Sequence, residues 1–453
     1  MNRYFLKIKS FFLNFKRIRP HMIMAFLSKK EKIVLLVLSV SLLICLGFLI
    51  RQHYRDTKLI PQYGGTLIEG VVSLNNTDLD DAIARLSKSG LMRYGENGAI
   101  VPDIASSYQI EDAGKKYTFT LKDGFDSNKL LLEIGDKKSE IWPGVTIETP
   151  QPNLFVFHLP QAYSPFLSLT TLPIFNAGPY ELSKKESNVL HFKARTNYQF
   201  NKPYLNQIIV RIYPDEQGLI KALRKGEIMA AGSTDEAVKN NKVSGMDLLQ
   251  FSLPRYRMMF FNMAQVADVN VRQKIKNNEP VTYPTPLSLV TNEDPVNMQL
   301  ADQEKARLEK IGLQINLTIV SDLELKKEIL PAKNYHLLIY GIDYGVDPDP
   351  YPFWHSSQIE TGSNLSNYYN NQVNKLLEQA RLETDSAKRQ GIYQQFQEIF
   401  DKEVPAIVLN QDIFYYQVSK KVSGMRIYQN NKLPTDRFYA INEWYIKNRR
   451  VKK

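Results

Sequence analysis

Cysteine is almost missing from this chain. Cys45 is the only one in 453 residues, and it lies within an uncharged apolar run. Disulfides and thiol chemistry are thereby excluded from everything outside that run. Histidine is scarce as well: the six, at 21, 53, 158, 191, 336 and 355, show no HExxH or comparable metal-holding spacing. His336, inside NYHLLIY, reads as a core or strand-edge histidine. GxSxG, P-loop and GxGxxG motifs are all absent, which removes the usual hydrolase and nucleotide signatures. No catalytic residue, metal or cofactor is assigned, and the chain reads as a non-enzyme. Repeats and low-complexity segments are lacking too.

What the chain does have is an 18-residue stretch without charge, IVLLVLSVSLLICLGFLI at 33–50. That is about the minimum for crossing the hydrocarbon layer. No small-residue cleavage site follows it in RQHYRDTKLIPQYGG, and LLIC puts bulky residues where lipoprotein signals carry small ones. The run is therefore read as one uncleaved transmembrane helix. Residues 1–32 carry nine Lys and Arg against Glu31, a net +8 of the chain's +11. This places the N-terminal segment in the cytoplasm and the main domain outside, periplasmic or at the cell surface. The rest of the excess charge concentrates in KNRRVKK near the other end, so no nucleic-acid face is expected. YFLKIKSFFLNFKRIR mixes aromatic and aliphatic residues with cations, the composition of an interfacial segment on anionic lipid or of a basic tail.

After a polar linker, 51–62, strand-like runs alternate with helical patterns. YTFTL (117–121), NLFVFHL (153–159), NQIIVRIY (206–213), LQINLTIV (313–320), YHLLIYG (335–341) and PAIVL (405–409) are apolar runs of strand length. DEQGLIKALRKGEI sets Leu219, Ala222 and Leu223 on one helix face and stops at Gly226; EDPVNMQLADQEKARLEKIG uses Asp294 as N-cap, Pro295 in the first turn and Gly312 at its end. NNQVNKLLEQARLE and AKRQGIYQQFQEIF hold apolar residues at helical spacing. A mixed α/β architecture follows. YGIDYGVDPDPYPFWHSS (340–357) then places Asp343, Asp347 and Asp349 among three prolines. Proline removes a donor and fixes φ, so this stretch is predicted to be a stiff loop, neither helix nor central strand. Its acids fall at the C-terminal end of a strand, where open α/β sheets bind ligands. Asp347 and Asp349 also suit Asx turns beside proline.

In order along the chain, GGTLIEGVV, GLMRYGENGAIVPDIASSYQIEDAGKKYTFTLKDG, GPYEL, NKPYLNQIIVRIYPDEQGLIKALRKGEI, LPRYRMMFFNM, GIDYGVDPDPYPFWHSS and NNQVNKLLEQARLETDSAKRQGIYQQFQEIFDKEVPAIVL resemble family 5 extracellular solute-binding proteins. These are the peptide-binding components of dipeptide and oligopeptide ABC transporters. The resemblance implies a two-lobed periplasmic-binding-protein-like fold of type II. Lobe I would comprise 63–253 and 412–447 and lobe II 254–411, with crossings near SLPRYR and VPAIVLNQDIF and a basic tail at 448–453. It implies that peptides bind between the lobes and pass to a membrane permease. Asp343, the aspartate before Tyr344, would pair with the ligand's α-ammonium. Tyr344, Asp347, Asp349 and Trp354 would lie nearby, and Arg255, Arg257 and Arg272 are candidates by location for the ligand carboxylate. The chain departs from the family pattern at FDSNKLLLEIGDKKSEIWPGV, at TLPIFNAGPYEL and at KIKNNEPVTYPTPLSLV, where family segments are replaced or shortened. Those departures leave a second reading, a surface interaction module of the same fold that does not transport. A third reading is a binder of another solute such as a nickel chelate, haem or oligosaccharide.

Overall fold

The computed structural model describes residues 28–453 apart from 74, 75, 136, 137, 197, 199, 200, 361 and 429. The cationic segment YFLKIKSFFLNFKRIR lies outside the described residues. The chain divides into two compact units, one holding the residues up to Gln62 with Lys447–Lys453, the other Tyr63–Ile446.

In the first unit a helix runs from Lys29 to Asp56. Ser28 and Glu31 start it with a capping box: Glu31 N–H donates to Ser28 Oγ, and Ser28 N–H donates to Glu31 Oε2 at 2.7 Å. It is long and apolar enough to cross a membrane, and none of its residues is buried. Beyond Ile50 the sequence predicted a linker. The helix instead continues for six more residues, and Thr57–Gln62 forms an antiparallel ribbon with Lys447–Lys452. The expected basic tail is thus a strand. TKLIPQ has too little alternation to announce itself, because a partner almost 400 positions away in sequence defines it. Pro61 is tolerated because each strand of a two-stranded ribbon is an edge.

In the second unit a ten-stranded sheet runs in the order Ile315–Val320, Leu287–Asn292, Leu337–Asp343, Met246–Phe261, Ala406–Ser419, Ala230–Ser233, Thr66–Val72, Gln207–Tyr213, Val189–Ala194, Tyr180–Lys185. Two long neighbours, Met246–Phe261 and Ala406–Ser419, carry it across the middle. Their ladder breaks between Ser252 and Tyr256, within SLPRYR. Beyond the break the side chains alternate between two cores. Met258 and Phe260 join Trp354 and Phe400 on one face; Met259 and Phe261 join Leu289 and Ile339 on the other. A third core, with Leu67, Phe192, Ile208 and Trp444, packs on the far half of the sheet. A separate four-stranded antiparallel sheet, containing Lys116–Leu121 and Leu154–His158, buries Phe119, Phe157 and Trp142.

Local signals explain the helix ends. Asp215 Oδ1 accepts from Gly218 N–H at 2.7 Å and Gly226, at φ +69°, stops the helix Glu216–Lys225. Asp294 accepts from the N–H groups of Val296 and Asn297, both at 3.0 Å, ahead of Pro295–Lys310. The stretches NNQVNKLLEQARLE and AKRQGIYQQFQEIF, read as helices, span Asn371–Leu382 and Ser386–Glu403. No local signal announces the ion pair between Thr66–Val72 and the turn at 434–438. Arg437 Nη2 and Nε donate to Glu69 Oε1 at 2.8 and 3.2 Å, and Tyr416 Oη donates to Glu69 Oε2 at 2.8 Å. Arg437 Nη1 donates to the carbonyls of Ala82 and Pro434. All three side chains are fully buried.

His336 is the strand-adjacent histidine that the sequence implied. Its Nδ1 accepts the Ser288 N–H at 3.2 Å, which requires the neutral ring, and partial burial lowers its pKa below the usual 6.5. The unfolded chain therefore takes up the proton more readily, so this histidine costs stability as pH falls through 6.5 toward its folded value. Thermal melts at about pH 7 and about pH 5.5 should show a loss of Tm on the acid side that is smaller in His336→Gln. An equal loss in both proteins would remove His336 from the account.

Candidate functional site

The strand Leu337–Asp343 runs antiparallel to Met246–Phe261, with Arg255 directly opposite Asp343. Asp343 is the last residue of its strand, so its carboxylate projects where the ladder ends. Oδ2 accepts from Arg255 Nε at 2.7 Å, and Oδ1 accepts from Gly345 N–H at 2.7 Å. Gly345 sits at φ +67°, a conformation that lets the chain turn away directly after the carboxylate. The pair stays partly open, with side chains 46% and 33% exposed for Asp343 and Arg255. Next to it, Arg257 Nη1 donates to Asn297 Oδ1 at 3.2 Å and stands 3.6 Å from Asp294, while its Nε is 3.8 Å from Asp412. Burial pushes the Asp412 carboxyl above its ordinary range, and the two arginines oppose that shift.

These groups line a recess of about 260 Å³ that also includes Tyr340. A second recess of about 430 Å³ shares Tyr340, Gly341, Ile342 and Asp343 with the first and adds Phe353, Leu330, Leu365 and Lys333. Both recesses are lined by charged groups, and the second sets Lys333 and Glu360 beside apolar side chains such as Phe353 and Leu365.

The rest of the proline-rich stretch is more deeply buried, as at Asp347, Asp349 and Trp354. Asp347, 6% exposed, holds Arg389 through two bonds, Nη1 to Oδ2 at 2.9 Å and Nη2 to Oδ1 at 2.5 Å. Ser168 Oγ adds a third at 2.7 Å to Oδ2. Asp349 accepts from Arg381 Nε at 2.8 Å and, through Oδ1, from Tyr351 N–H at 3.1 Å, an Asx turn spanning Pro350. Both were expected beside the ligand; both are buried, with their oxygens committed to arginines and to the loop itself. Trp354, also expected there, is a core residue: 1% exposed, stacked on Phe260 and edge-on to Phe400. Its Nε1 donates to Tyr344 Oη at 3.0 Å, so the Tyr344 hydroxyl points into that core too, and burial pushes its pKa well up. Arg272 is buried and donates to the carbonyls of Glu403, Val266 and Ala267. The loop is not wholly irregular either. Tyr351–Trp354 makes one helical turn, because a proline in a first turn loses no hydrogen bond.

Of the expected residues, the structure brings Asp343, Arg255 and Arg257 into one recess. Those that sequence reasoning missed are Asp412 and Tyr340 in that recess and Arg381, Arg389 and Ser168 behind it. Tyr94 Oη donates to Val346 O at 2.7 Å, and Ser164 N–H donates to Arg381 O at 2.7 Å.

A sequence model of the family described as "Bacterial extracellular solute-binding proteins, family 5 Middle" matches residues 139–277. The probable D,D-dipeptide-binding periplasmic protein DdpA of Escherichia coli (strain K12) is 21% identical over 462 residues, covering 79% of this chain and 88% of that protein. The oligopeptide-binding protein AppA of Bacillus subtilis, solved with a nonapeptide, superposes with a TM-score of 0.62 at 17% identity over 86% of this chain and all of that one. NikZ of Campylobacter jejuni, solved with Ni(L-His), gives 0.64 at 18% identity over 84% of this chain and 99% of that one. The resemblance read from the sequence holds: the chain is homologous to dipeptide- and oligopeptide-binding proteins and has the α/β fold of family 5 solute-binding proteins.

Proposed function

We propose that this chain is the membrane-anchored, extracytoplasmic substrate-binding component of an ABC importer, and that it takes peptides in the recess beside the crossing strands and hands them to a permease. The observation that carries this reading is Asp343, a half-exposed carboxylate at a strand end, in a chain homologous to peptide-binding proteins. Its pairing with Arg255 leaves lone-pair positions on the exposed side for a ligand α-ammonium. Arg257 and Arg255 are the cations available to a ligand carbonyl or carboxylate. Tyr344, Asp347, Asp349 and Trp354 serve by fixing the loop, so that less ordering entropy is lost when ligand binds. The helix at 29–56 is the anchor, with the N-terminal segment in the cytoplasm.

The test is a thermal-shift and calorimetric titration with di-, tri- and longer peptides. Asp343→Asn should weaken free-amine peptides by about 2–5 kcal/mol and barely affect their N-acetylated forms. Equal losses for both would sink the anchoring role.

A second reading is favoured by one specific contact. Arg255 already engages Asp343, as a fold that has given up amine recognition would have it. A flat response across all peptide pools, from folded protein, would support that interaction module. Adding nickel with histidine to the same titration probes the solute class bound by NikZ.

A further inference from the structure

The ribbon beside the apolar helix concentrates charge in a way that the rest of the chain does not. Residues 51–62 and 447–453 hold eight Lys and Arg against Asp56, a net +7. Residues 1–32 carry +8 and 33–50 none, so the chain's +11 leaves 63–446 with −4. The positive charge outside the N-terminal segment is thus gathered where the helix leaves its apolar run, and the fold does the gathering. Lys453 N–H donates to Asp56 O at 3.0 Å, and Lys452 pairs with Thr57 across the ribbon. These links draw residues from the far end of the sequence to the end of the helix.

Heights along the helix locate the lysines. Asp56 lies six residues past Ile50, about 9 Å at 1.5 Å per residue. The headgroup layer adds about 5–8 Å to each side of the hydrocarbon, and long basic side chains reach back toward phosphate. Between helix end and ribbon end is an open notch of about 520 Å³ lined by Leu49, His53, Asp56, Lys452 and Lys453 among others. Leu49 belongs to the apolar run itself, so an occupant must place an apolar chain directly beside an anionic group. The negative groups at the notch are already engaged. Asp56 Oδ1 is 3.5 Å from Arg55 Nε, Asp56 O accepts from Lys453 N–H, and His53 O accepts from Thr57 Oγ1 at 2.6 Å. Arg450 is occupied as well, stacked on Tyr54 and donating to Thr57 Oγ1. Among the described residues, Lys452, Lys453, Arg449 and Lys58 have no carboxylate within ion-pair distance.

We infer that this juxtamembrane collar is a binding site for an anionic phospholipid, with the headgroup phosphate held by Lys452 and Lys453 and an acyl chain running down past Leu49. The inference rests on the anchor reading above. A peripheral acidic protein would satisfy the lysines but would leave the apolar floor of the notch unfilled, which is why lipid is the better occupant.

The full chain in detergent, incubated with phosphatidylglycerol or with phosphatidylcholine, is read by native mass spectrometry beside Lys452→Gln/Lys453→Gln and a control altered on the other unit, Lys184→Gln/Lys185→Gln. Phosphatidylglycerol adducts should persist on the native chain and on the control, and fall on the order of fivefold for each neutralised collar lysine. Phosphatidylcholine adducts should be the same on all three. Equal phosphatidylglycerol retention by all three proteins overturns the inference, and would leave an acidic partner protein to explain the collar. The intact mass reads the anchor separately. A chain recovered from cells without its apolar run overturns both readings, whereas a full-length chain with no lipid preference overturns only this one.

Discussion

Glu69→Gln should lower the unfolding free energy by about 3–5 kcal/mol, because it strands the Arg437 guanidinium in the core without a counter-charge. The substitution keeps the shape of the side chain, so the loss reports charge and not a cavity. Arg437→Met removes the other partner and should behave differently. Glu69 can escape an uncompensated burial by taking up a proton, whereas arginine cannot lose one. The damage from Arg437→Met should therefore shrink as pH is lowered, while that from Glu69→Gln should not. Replacing both, Glu69→Leu with Arg437→Met, should recover part of the loss, since it removes the uncompensated charge but leaves the Tyr416 hydroxyl and the Ala82 and Pro434 carbonyls without these partners. Chemical denaturation of the full chain at two pH values checks all three expectations. If the double variant is as damaged as Glu69→Gln, uncompensated charge is not the cause.

Asp347→Asn should cost about 3 kcal/mol. It breaks the two-bonded contact with Arg389 and weakens the acceptor for Ser168 Oγ. Ser168→Ala removes only that hydroxyl and should cost about 1.5–3 kcal/mol, as for other hydrogen bonds to charged groups. The two changes act on one carboxylate, so their combination should cost less than their separate effects together. Additive losses would show that Ser168 and Arg389 stabilise the loop independently. On the proposed peptide reading, Asp347→Asn gives a second readout: a loop that has lost its buried tie must be ordered by the ligand, so peptide affinity should fall although Asp347 is buried and paired with Arg389.

What could be read from the sequence was set by distance along the chain. Helix ends were legible because cap and helix are neighbours, as with Gly226 after Lys225 or Asp294 and Asn297. Asp343 was legible as a strand-end acid because the apolar run before it and the prolines after it are both local. Its partner Arg255 stands 88 positions away, and the Arg437 that balances Glu69 stands 368 away. Nothing in TLIEGVV marks its glutamate as an interior anion, since an acid in a strand usually faces water. The same limit explains Asp347 and Asp349. Carboxylates among prolines look like ligand groups until the register of two distant helices supplies Arg381 and Arg389. Where a local rule failed, at the helical turn Tyr351–Trp354, the proline prohibition had been extended to a first turn, where it does not apply.

The ribbon between Thr57–Gln62 and Lys447–Lys452 also fixes an order of events. Its residues are separated by nearly the whole chain, so its contact order is about as high as this sequence permits. Synthesis delivers Thr57–Gln62 long before Lys447–Lys452, and the ribbon cannot zip until both are present. Until then Thr57–Gln62 is an unpaired strand waiting next to the apolar helix, open to pairing with a neighbouring copy of itself. Lys58 and Pro61 on that strand are the residue types that discourage such pairing. A chain cut short before residue 447 would lack the partner strand and keep that edge exposed.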